Sequence, residues 1–185
     1  MTTEIDHLIV AADTLQDGVA WCEATLGLTP GPGGQHAFMG THNRLLNLSS
    51  PAFARCYLEI IAIDPEAPPP GHARWFGLDE RPPGPPRLWH WVARTADMAR
   101  DRQSLIAQGL EPGEAVAASR GDLRWRILLR GDGQVLPGLP TLIEWEGPHP
   151  ADRLPDAGLR LTALATDGGL AATIETPLGT RRLVR

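Results

Sequence analysis

Two histidines and two glutamates occupy matching places in strand-like segments of this 185-residue chain. His7 and His90 each lie in a short β-prone run, and Glu59 and Glu144 each lie in a later apolar run. Two imidazole nitrogens and two carboxylates form a good ligand set for a borderline divalent ion such as Zn²⁺, Ni²⁺, Co²⁺, Fe²⁺ or Mn²⁺. A metal there could stabilise an enediolate while a glutamate acts as base. We therefore predict all four as metal ligands, and Glu59 and Glu144 as catalytic residues.

A structural explanation competes with the functional one for each of these residues. A hydrogen-bonded core histidine is the ordinary explanation for His7, and it applies to His90 as well. Glu59 lies inside the run CYLEIIAI, whose flanking residues predict burial on both faces. A buried carboxylate without a partner costs on the order of several kcal/mol, so Glu59 needs one. Glu144, inside the run LIEW, poses the same question.

Two further polar groups could contact a ligand. The segment GGQHAFMGTHNRLL has several polar side chains around Gly40, where a tight turn is favoured, and they could point into a cup or form a polar hairpin. Arg124 and Arg126 alternate with Trp125 along a predicted strand. If that face lines a cup, Arg126 could hold a carboxylate or phosphate; if it faces water, the arginines are surface charge.

The elements that must position these residues follow the same order twice. The first half predicts a strand at 5–10, a helix at 15–26 that is capped by Asp13 and Thr14 and ends at Gly27, and strands at 36–39, 44–48 and 56–63. The second half predicts a strand at 88–94, a helix between Asp97 and Gly109, and strands at 115–118, 123–129 and 141–146. A repeat of about 80 residues is too long for a solenoid and indicates two copies of one β-α-β-β-β unit.

We therefore expect an α+β fold in which two tandem βαβββ modules, with mixed sheets, form a cupped half-barrel. The expected division is a first module at 1–64, a proline-rich linker at 65–86, a second module at 87–147 and a C-terminal β extension at 148–185. The linker, which prolines prevent from forming a continuous helix, is expected to be held against the body by Trp75 and Phe76. The extension is either a partial third module or an extra β element that covers a sheet edge.

The sequence resembles the glyoxalase-like domain proteins of the vicinal-oxygen-chelate superfamily over residues 4–150. The resemblance is carried by DHLIVAADTLQDGVAWCEATLG, GGQHAFMGTHNRLL, YLEIIAID, RWRILL and LIEWEGPHP, together with the repeat. It implies substrate contacts at His36, Thr41 and Asn43, since the H…GT.N segment is the most distinctive part of that family's sequence. It also implies a small-molecule ligand in a β-sheet cup.

The four candidate ligands, the resemblance and the C-terminal extension leave three functions open. The first is a divalent-metal-dependent lyase, isomerase or epimerase acting on vicinal oxygens, with an extradiol dioxygenase less favoured. The second is a metal-free protein that binds or sequesters a small molecule, and the third is an interaction module. Two modules can close a cup within one chain or across a homodimer, and the sequence leaves both open.

Composition excludes other classes. A formal net charge of -5 and a pI near 5.6 argue against a nucleic-acid-binding protein, which needs clustered basic charge. A helix that spans a bilayer needs about 20 apolar residues, and no apolar run in the sequence approaches that length. The N-terminal residues do not resemble a secretion signal. We therefore expect a cytoplasmic protein without membrane partners. Cys22 and Cys56 are expected to be buried reduced thiols.

Overall fold

A computed structural model describes residues 4–185 of the chain. The first module contains β1 (Glu4–Ala11), α1 (Leu15–Leu26), β2 (Gln35–His36), β3 (Thr41–Asn47) and β4 (Tyr57–Ile63). The second contains β5 (Arg87–Arg94), α2 (Met98–Ala107), β6 (Glu114–Arg120), β7 (Leu123–Leu129) and β8 (Thr141–Trp145). The C-terminal strands are β9 (Arg160–Ala165), β10 (Ala171–Thr176) and β11 (Gly179–Val184). The fold is α+β, with two βαβββ modules, as predicted.

Both modules share one mixed eight-stranded sheet in the order β2-β3-β4-β1-β5-β8-β7-β6. Within each module the first strand pairs in parallel with the last, β1 with β4 and β5 with β8. The modules meet where β1 pairs antiparallel with β5, so they are related by an approximate two-fold axis. The sheet curves into a cup, and a single chain supplies both halves of it.

The convex face of the sheet is covered by the two helices and the C-terminal strands. Thr14 caps α1 by accepting from the Asp17 backbone N–H, and Gly27 ends it with φ 77°. One face of α1 packs with Leu8, Leu58 and the C-terminal sheet in a single apolar cluster. The strands β9, β10 and β11 form a separate three-stranded antiparallel sheet. This extension contributes to the core on the convex face; it adds no strand to the edge of the main sheet.

The linker fills the concave face, which we call the cup. Trp75 and Phe76 are each 3% exposed and pack with Ile9, Ile61 and Ile127. The prediction that these aromatics hold the linker against the body is therefore confirmed. The Trp89 indole N–H donates to the Phe76 carbonyl at 2.7 Å and fixes the segment over the second module.

Two smaller predictions have clear outcomes. The strand predicted at 36–39 is wrong beyond His36, because residues 37–40 turn back with the Met39 N–H donating to the His36 carbonyl and Gly40 at φ 58°. Cys22 and Cys56 are buried and free, as predicted, and burial raises the pKa of each thiol to about 12. Among residues 4–185, neither helix has the length and apolarity needed to cross a membrane.

Candidate functional site

A row of buried charges lies on the cup face of the first module. Alternation along β1 and β4 points His7 and Glu59 into the cup, with His7 Nε2 3.4 Å from a Glu59 carboxylate oxygen. On its other side, His7 Nδ1 lies 2.6 Å from the Asp6 carboxylate. The ring therefore lies between two carboxylates and stacks on Tyr57, with ring centroids 4.6 Å apart.

These contacts fix the protonation of the row. Burial alone would remove the charge from His7, but the hydrogen bonds to Asp6 and Glu59 outweigh it and raise its pKa to about 9. Burial would likewise neutralise Glu59, but the His7 imidazolium and Asn43 lower its pKa to about 2. The pKa of Asp6 is also held well below its ordinary value despite burial, first by its hydrogen bond to His149. At neutral pH the row is Asp6⁻, His7⁺ and Glu59⁻.

A second layer of polar side chains surrounds Glu59. The Asn43 amide donates to Glu59 at 2.5 Å, and its oxygen accepts from the Gly34 backbone N–H at 2.8 Å. Arg120, at the end of β6 in the second module, donates to His36 Nε2 at 3.1 Å and to the Asn43 oxygen at 3.2 Å. These hydrogen bonds connect Arg120 of the second module to His36 and Asn43 of the first.

His36 is neutral in this arrangement. Its Nε2 accepts from Arg120, so its Nδ1 carries the proton and lies 3.1 Å from the Thr41 hydroxyl. Burial lowers the pKa of His36 to about 4. The structure thus brings together five of the predicted residues, which are listed here: His7, His36, Thr41, Asn43 and Glu59. We call this group, with Asp6, Tyr57 and Arg120, the first-module site.

A small cavity of about 30 Å³ opens beside the first-module site. The cavity is covered by Trp75 and Phe76, and Trp125 and Trp145 line its far wall. Since one water needs about 10–15 Å³ of such space, the cavity has room for about two waters and for no larger ligand. A cleft of about 250 Å³ lies on the outer side of His36, between β3 and the residues after β4.

The matching place in the second module is built differently. In the first module the Ala12 N–H donates to the Ile61 carbonyl, and in the second module the Thr95 N–H donates to the Ile143 carbonyl in the same way. This shared hydrogen bond aligns the strands of the two modules residue by residue. Counting back along each strand, His7 corresponds to His90 and Glu59 corresponds to Thr141. His90 Nε2 accepts from the Thr141 backbone N–H at 3.2 Å and lies 3.0 Å from its hydroxyl. Burial lowers the pKa of His90 to about 3, so the ring is neutral.

The structure corrects the position of Glu144. Glu144 lies three residues beyond Thr141, the true counterpart of Glu59, and an odd offset along a strand reverses the face. Its carboxylate therefore points to the convex side, where it pairs with Arg126 and accepts from the Met98 backbone N–H at the start of α2. Arg126 lies on the same convex face, so the structure does not bring it to the cup either.

These positions do not fit the predicted four-ligand metal site. The ligand lone pair of His90 is used by the Thr141 N–H, Glu144 is on the opposite face, and His7 is enclosed by Asp6 and Glu59. Within residues 4–185, no three His, Cys, Asp or Glu side chains converge in a way that could hold a metal ion. Only His7 and Glu59 of the four lie together.

Sequence reasoning missed several members of the network. Asp6 is fully buried and also accepts from the Trp145 indole and from His149, at 2.9 Å and 2.8 Å. The signal for Asp6 was present, because an acid inside an apolar strand beside a histidine needs partners as Glu59 does. The alternation rule also places Tyr57 on the same face as Glu59. Arg120 carried no local signal, since it acts on the other module.

The chain is similar in sequence and in structure to known proteins. Residues 5–169 match the family model described as a glyoxalase-like domain. A hypothetical protein from Staphylococcus aureus has a similar structure, with a TM-score of 0.60, 14% identity, and coverage of 98% of this chain and 85% of that chain. At that identity the likeness shows the fold alone.

A methylmalonyl-CoA epimerase from Mycobacterium tuberculosis is less similar in structure. Its TM-score is 0.48 at 20% identity, with coverage of 78% of this chain and 88% of that chain. This likeness carries no conclusion about the reaction of this chain. No curated protein matches the sequence at a significant level.

Proposed function

Since this chain belongs to the glyoxalase-like domain family of the vicinal-oxygen-chelate superfamily, we propose that it binds a small molecule at the first-module site without a metal ion. The observation that carries the proposal is a pair of polar side chains, the half-buried Arg120 and the buried Tyr57, with unused bonding capacity beside a cavity. Arg120 uses only Nη1 in its bonds to His36 and Asn43. The Tyr57 hydroxyl makes no hydrogen bond to another residue in the range 4–185, and Tyr57 lines the cavity.

The chemistry of these groups suggests the ligand class. A guanidinium with free N–H groups and a neutral phenol both donate to carbonyl or carboxylate oxygens. Burial and nearby carboxylates raise the pKa of Tyr57 well above its ordinary value, so its hydroxyl remains a donor. The tryptophans that line the cavity offer apolar contact to the remainder of the ligand. We therefore expect a small molecule with one carbonyl or carboxylate group.

The protonation of the row favours binding over proton abstraction. A general base works best when its pKa lies near the operating pH. The pKa of Glu59 is lowered to about 2, so its carboxylate is a weak base. Its role in the proposal is to keep His7 charged and Asn43 oriented, which fixes the position of Arg120.

A ligand of more than a few atoms requires the covering segment to move. Phe76 adopts a left-handed backbone conformation with φ 59°, which costs a residue with a side chain about 1–3 kcal/mol. Such conformations cluster at ligand-binding and switch regions. We propose that displacement of Trp75 and Phe76 opens the cavity, and that ligand contacts replace the contacts these aromatics lose.

The metal-dependent lyase or isomerase implied by the sequence is the competing function, and metal analysis separates the two. Purified protein and Glu59→Gln are incubated with Ni²⁺, Zn²⁺, Mn²⁺ and Fe²⁺, desalted and measured by elemental analysis. We expect no stoichiometric ion in either protein. About one ion per chain in the wild type, lost in Glu59→Gln, would overturn the metal-free proposal.

Ligand binding is tested through the tryptophans that line the cavity. Intrinsic fluorescence is titrated with pyruvate, catechol and the hemithioacetal of methylglyoxal and glutathione. We expect a saturable change with at least one compound, abolished in Arg120→Gln and kept in Arg124→Gln, whose arginine is exposed on the convex face. Equal responses in the two variants would place any binding outside the first-module site.

The proposal also covers the location, the partners and the assembly of the protein. The protein is proposed to act in the cytoplasm on a small molecule, without nucleic-acid or membrane partners. Assembly of the cup does not require a second copy, because β1 and β5 of one chain pair directly. A homodimer would therefore bury some other surface.

A further inference from the structure

A second concave region lies outside the cup. A groove of about 730 Å³ separates the second module from the C-terminal sheet. Its walls are residues 135–139, which follow β7, the turn 166–171 between β9 and β10, and the end of β11. Its volume is in the range of about 300–1,000 Å³ typical of small-molecule sites. The proposed function does not use this groove.

The charge of the groove is opposite to that of the protein. Arg182 and Arg185 line it, whereas no aspartate or glutamate side chain does, in a chain with a net charge of -5. Arg182 is exposed and makes no ion pair or hydrogen bond with another side chain in residues 4–185. The Arg185 guanidinium lies 5.0 Å from the centre of the Trp89 ring, which orders it beside the groove. Two cationic side chains without acidic partners favour an anion.

A buried donor adds a second observation. His90 lines the groove and is 3% exposed. Its Nε2 accepts from the Thr141 backbone N–H, so the neutral ring carries its proton on Nδ1. That N–H has no hydrogen-bond partner among residues 4–185, and His90 lines the groove. A ligand oxygen in the groove could therefore accept from it.

Apolar side chains form another part of the lining, among them Val135, Leu136, Pro137, Leu139, Leu170 and Val184. From this combination we propose that the groove binds an amphipathic organic anion, with its charged group at Arg182 and Arg185 and its apolar chain along the Leu136 wall. The site is separate from the first-module site and does not depend on its ligand.

Decanoate is the probe, since it combines one carboxylate with an apolar chain. Isothermal titration calorimetry compares decanoate with decanol, which lacks the charge, and with inorganic phosphate, which lacks the chain. We expect decanoate to bind in a salt-dependent manner and both comparison compounds to bind at least about tenfold more weakly. Decanol binding as tightly as decanoate would overturn the proposal.

Variants locate the site. We expect Arg182→Gln to weaken decanoate binding at least about tenfold, the loss of one charge-assisted hydrogen bond, and Arg124→Gln to leave it unchanged. His90→Phe, which keeps a ring but removes the donor, should also weaken binding. Arg120→Gln alters the first-module site and should leave the Arg182-dependent binding of decanoate in place. Loss in Arg120→Gln with retention in Arg182→Gln would place decanoate in the cup and overturn this inference while leaving the proposed function standing.

Discussion

The two modules place a histidine at the same point of their first strand and give it opposite charge states. His7 faces Glu59 and Asp6 and is held as an imidazolium with a pKa of about 9. His90 faces Thr141 and is held neutral, with its pKa lowered to about 3 by burial and by Arg185. His7 has the carboxylates of Asp6 and Glu59 as partners, whereas His90 bonds to Thr141, so the partners of each ring decide its charge.

This difference teaches where polar function resides in the cup. The two-fold relation repeats the sheet but not the chemistry, because Glu59 and Asn43 in the first module correspond to Thr141 and Ile127 in the second. The first module keeps a charged network that is costly to bury. The second module is filled by aromatic and aliphatic side chains. The polar site therefore consists of first-module residues together with Arg120 of the second module.

The largest expected effect comes from removing the carboxylate of the charged pair. Glu59→Leu removes one of the two carboxylates that flank His7 and the acceptor of the Asn43 amide at a buried site, and breaking such a buried pair costs about 3–5 kcal/mol. Thr141→Val, its counterpart, removes one hydroxyl while the backbone N–H still bonds to His90, and should cost about 1 kcal/mol. Urea unfolding of both variants measures the difference. Equal costs would mean that the two modules are energetically alike.

A middle effect is expected from the second polar layer. Asn43→Leu makes the first module resemble the second, where Ile127 takes this place, and leaves Glu59 short of one donor. Loss of a buried hydrogen-bond partner costs about 1–3 kcal/mol in unfolding free energy. Asn43→Asp is the contrasting variant, since it puts a second carboxylate beside Glu59 and should be more destabilising. A milder effect from Asn43→Asp would contradict the charge assignment of Glu59.

Stability should fall on both sides of a maximum near pH 6.5, with His7 contributing to the alkaline side and His90 to the acid side. The folded pKa of His7, about 9, lies above the unfolded value of 6.5, so its contribution is complete below pH 6.5 and is lost toward pH 9. The folded pKa of His90, about 3, lies below 6.5, so its contribution is complete above pH 6.5 and is lost toward pH 3. Unfolding free energies across this range measure both limbs.

Variants assign the limbs of that profile. His7→Gln should flatten the alkaline limb, and His90→Gln should reduce the acid limb. His36 and Glu59, whose pKa values are lowered to about 4 and about 2, add to the acid limb. A profile in which His90→Gln changes only the alkaline side would show that the two histidines are charged in the same way.

The smallest effect is expected outside the cup. Arg126 and Glu144 form a pair on the convex face in which the Arg126 side chain is 44% exposed. Exposed pairs contribute about 0–1 kcal/mol, so Arg126→Gln should cost less than about 1 kcal/mol and leave ligand titrations unchanged. A lost ligand response in Arg126→Gln would return Arg126 to the binding site.

Much of the fold followed from local patterns. The helix at 15–26 was predicted with both ends because Thr14 and Gly27 carry strong end signals. The repeat gave the number and order of the strands. The strand predicted at 36–39 was too long, because β2 ends at His36, three residues earlier, where the turn to Gly40 begins.

The site was predicted only in part, for a physical reason. His36, Thr41, Asn43, His7 and Glu59 were all named and all lie together. The similar local sequences around Glu59 and Glu144 predicted that these residues are equivalent, whereas the structural counterpart of Glu59 is Thr141, three residues earlier. A shift of three residues along a strand places the side chain on the opposite face. Arg120 and His149 reach the network from distant parts of the chain. Their roles depend on the pairing of β1 with β5, which no local pattern encodes.

That central pairing makes the chain divisible. A cut at Gly71, an exposed position in the linker where a Cβ would meet nothing within 4 Å, would leave two fragments, each with its first strand unpaired on one side. The free edge of each fragment would expose the backbone N–H and C=O groups that pair with the other fragment. Trp75 and Phe76 would belong to the second fragment and would pack against apolar side chains of the first. The fragments should then reassemble without a covalent link, which makes the protein a natural candidate for split-protein complementation.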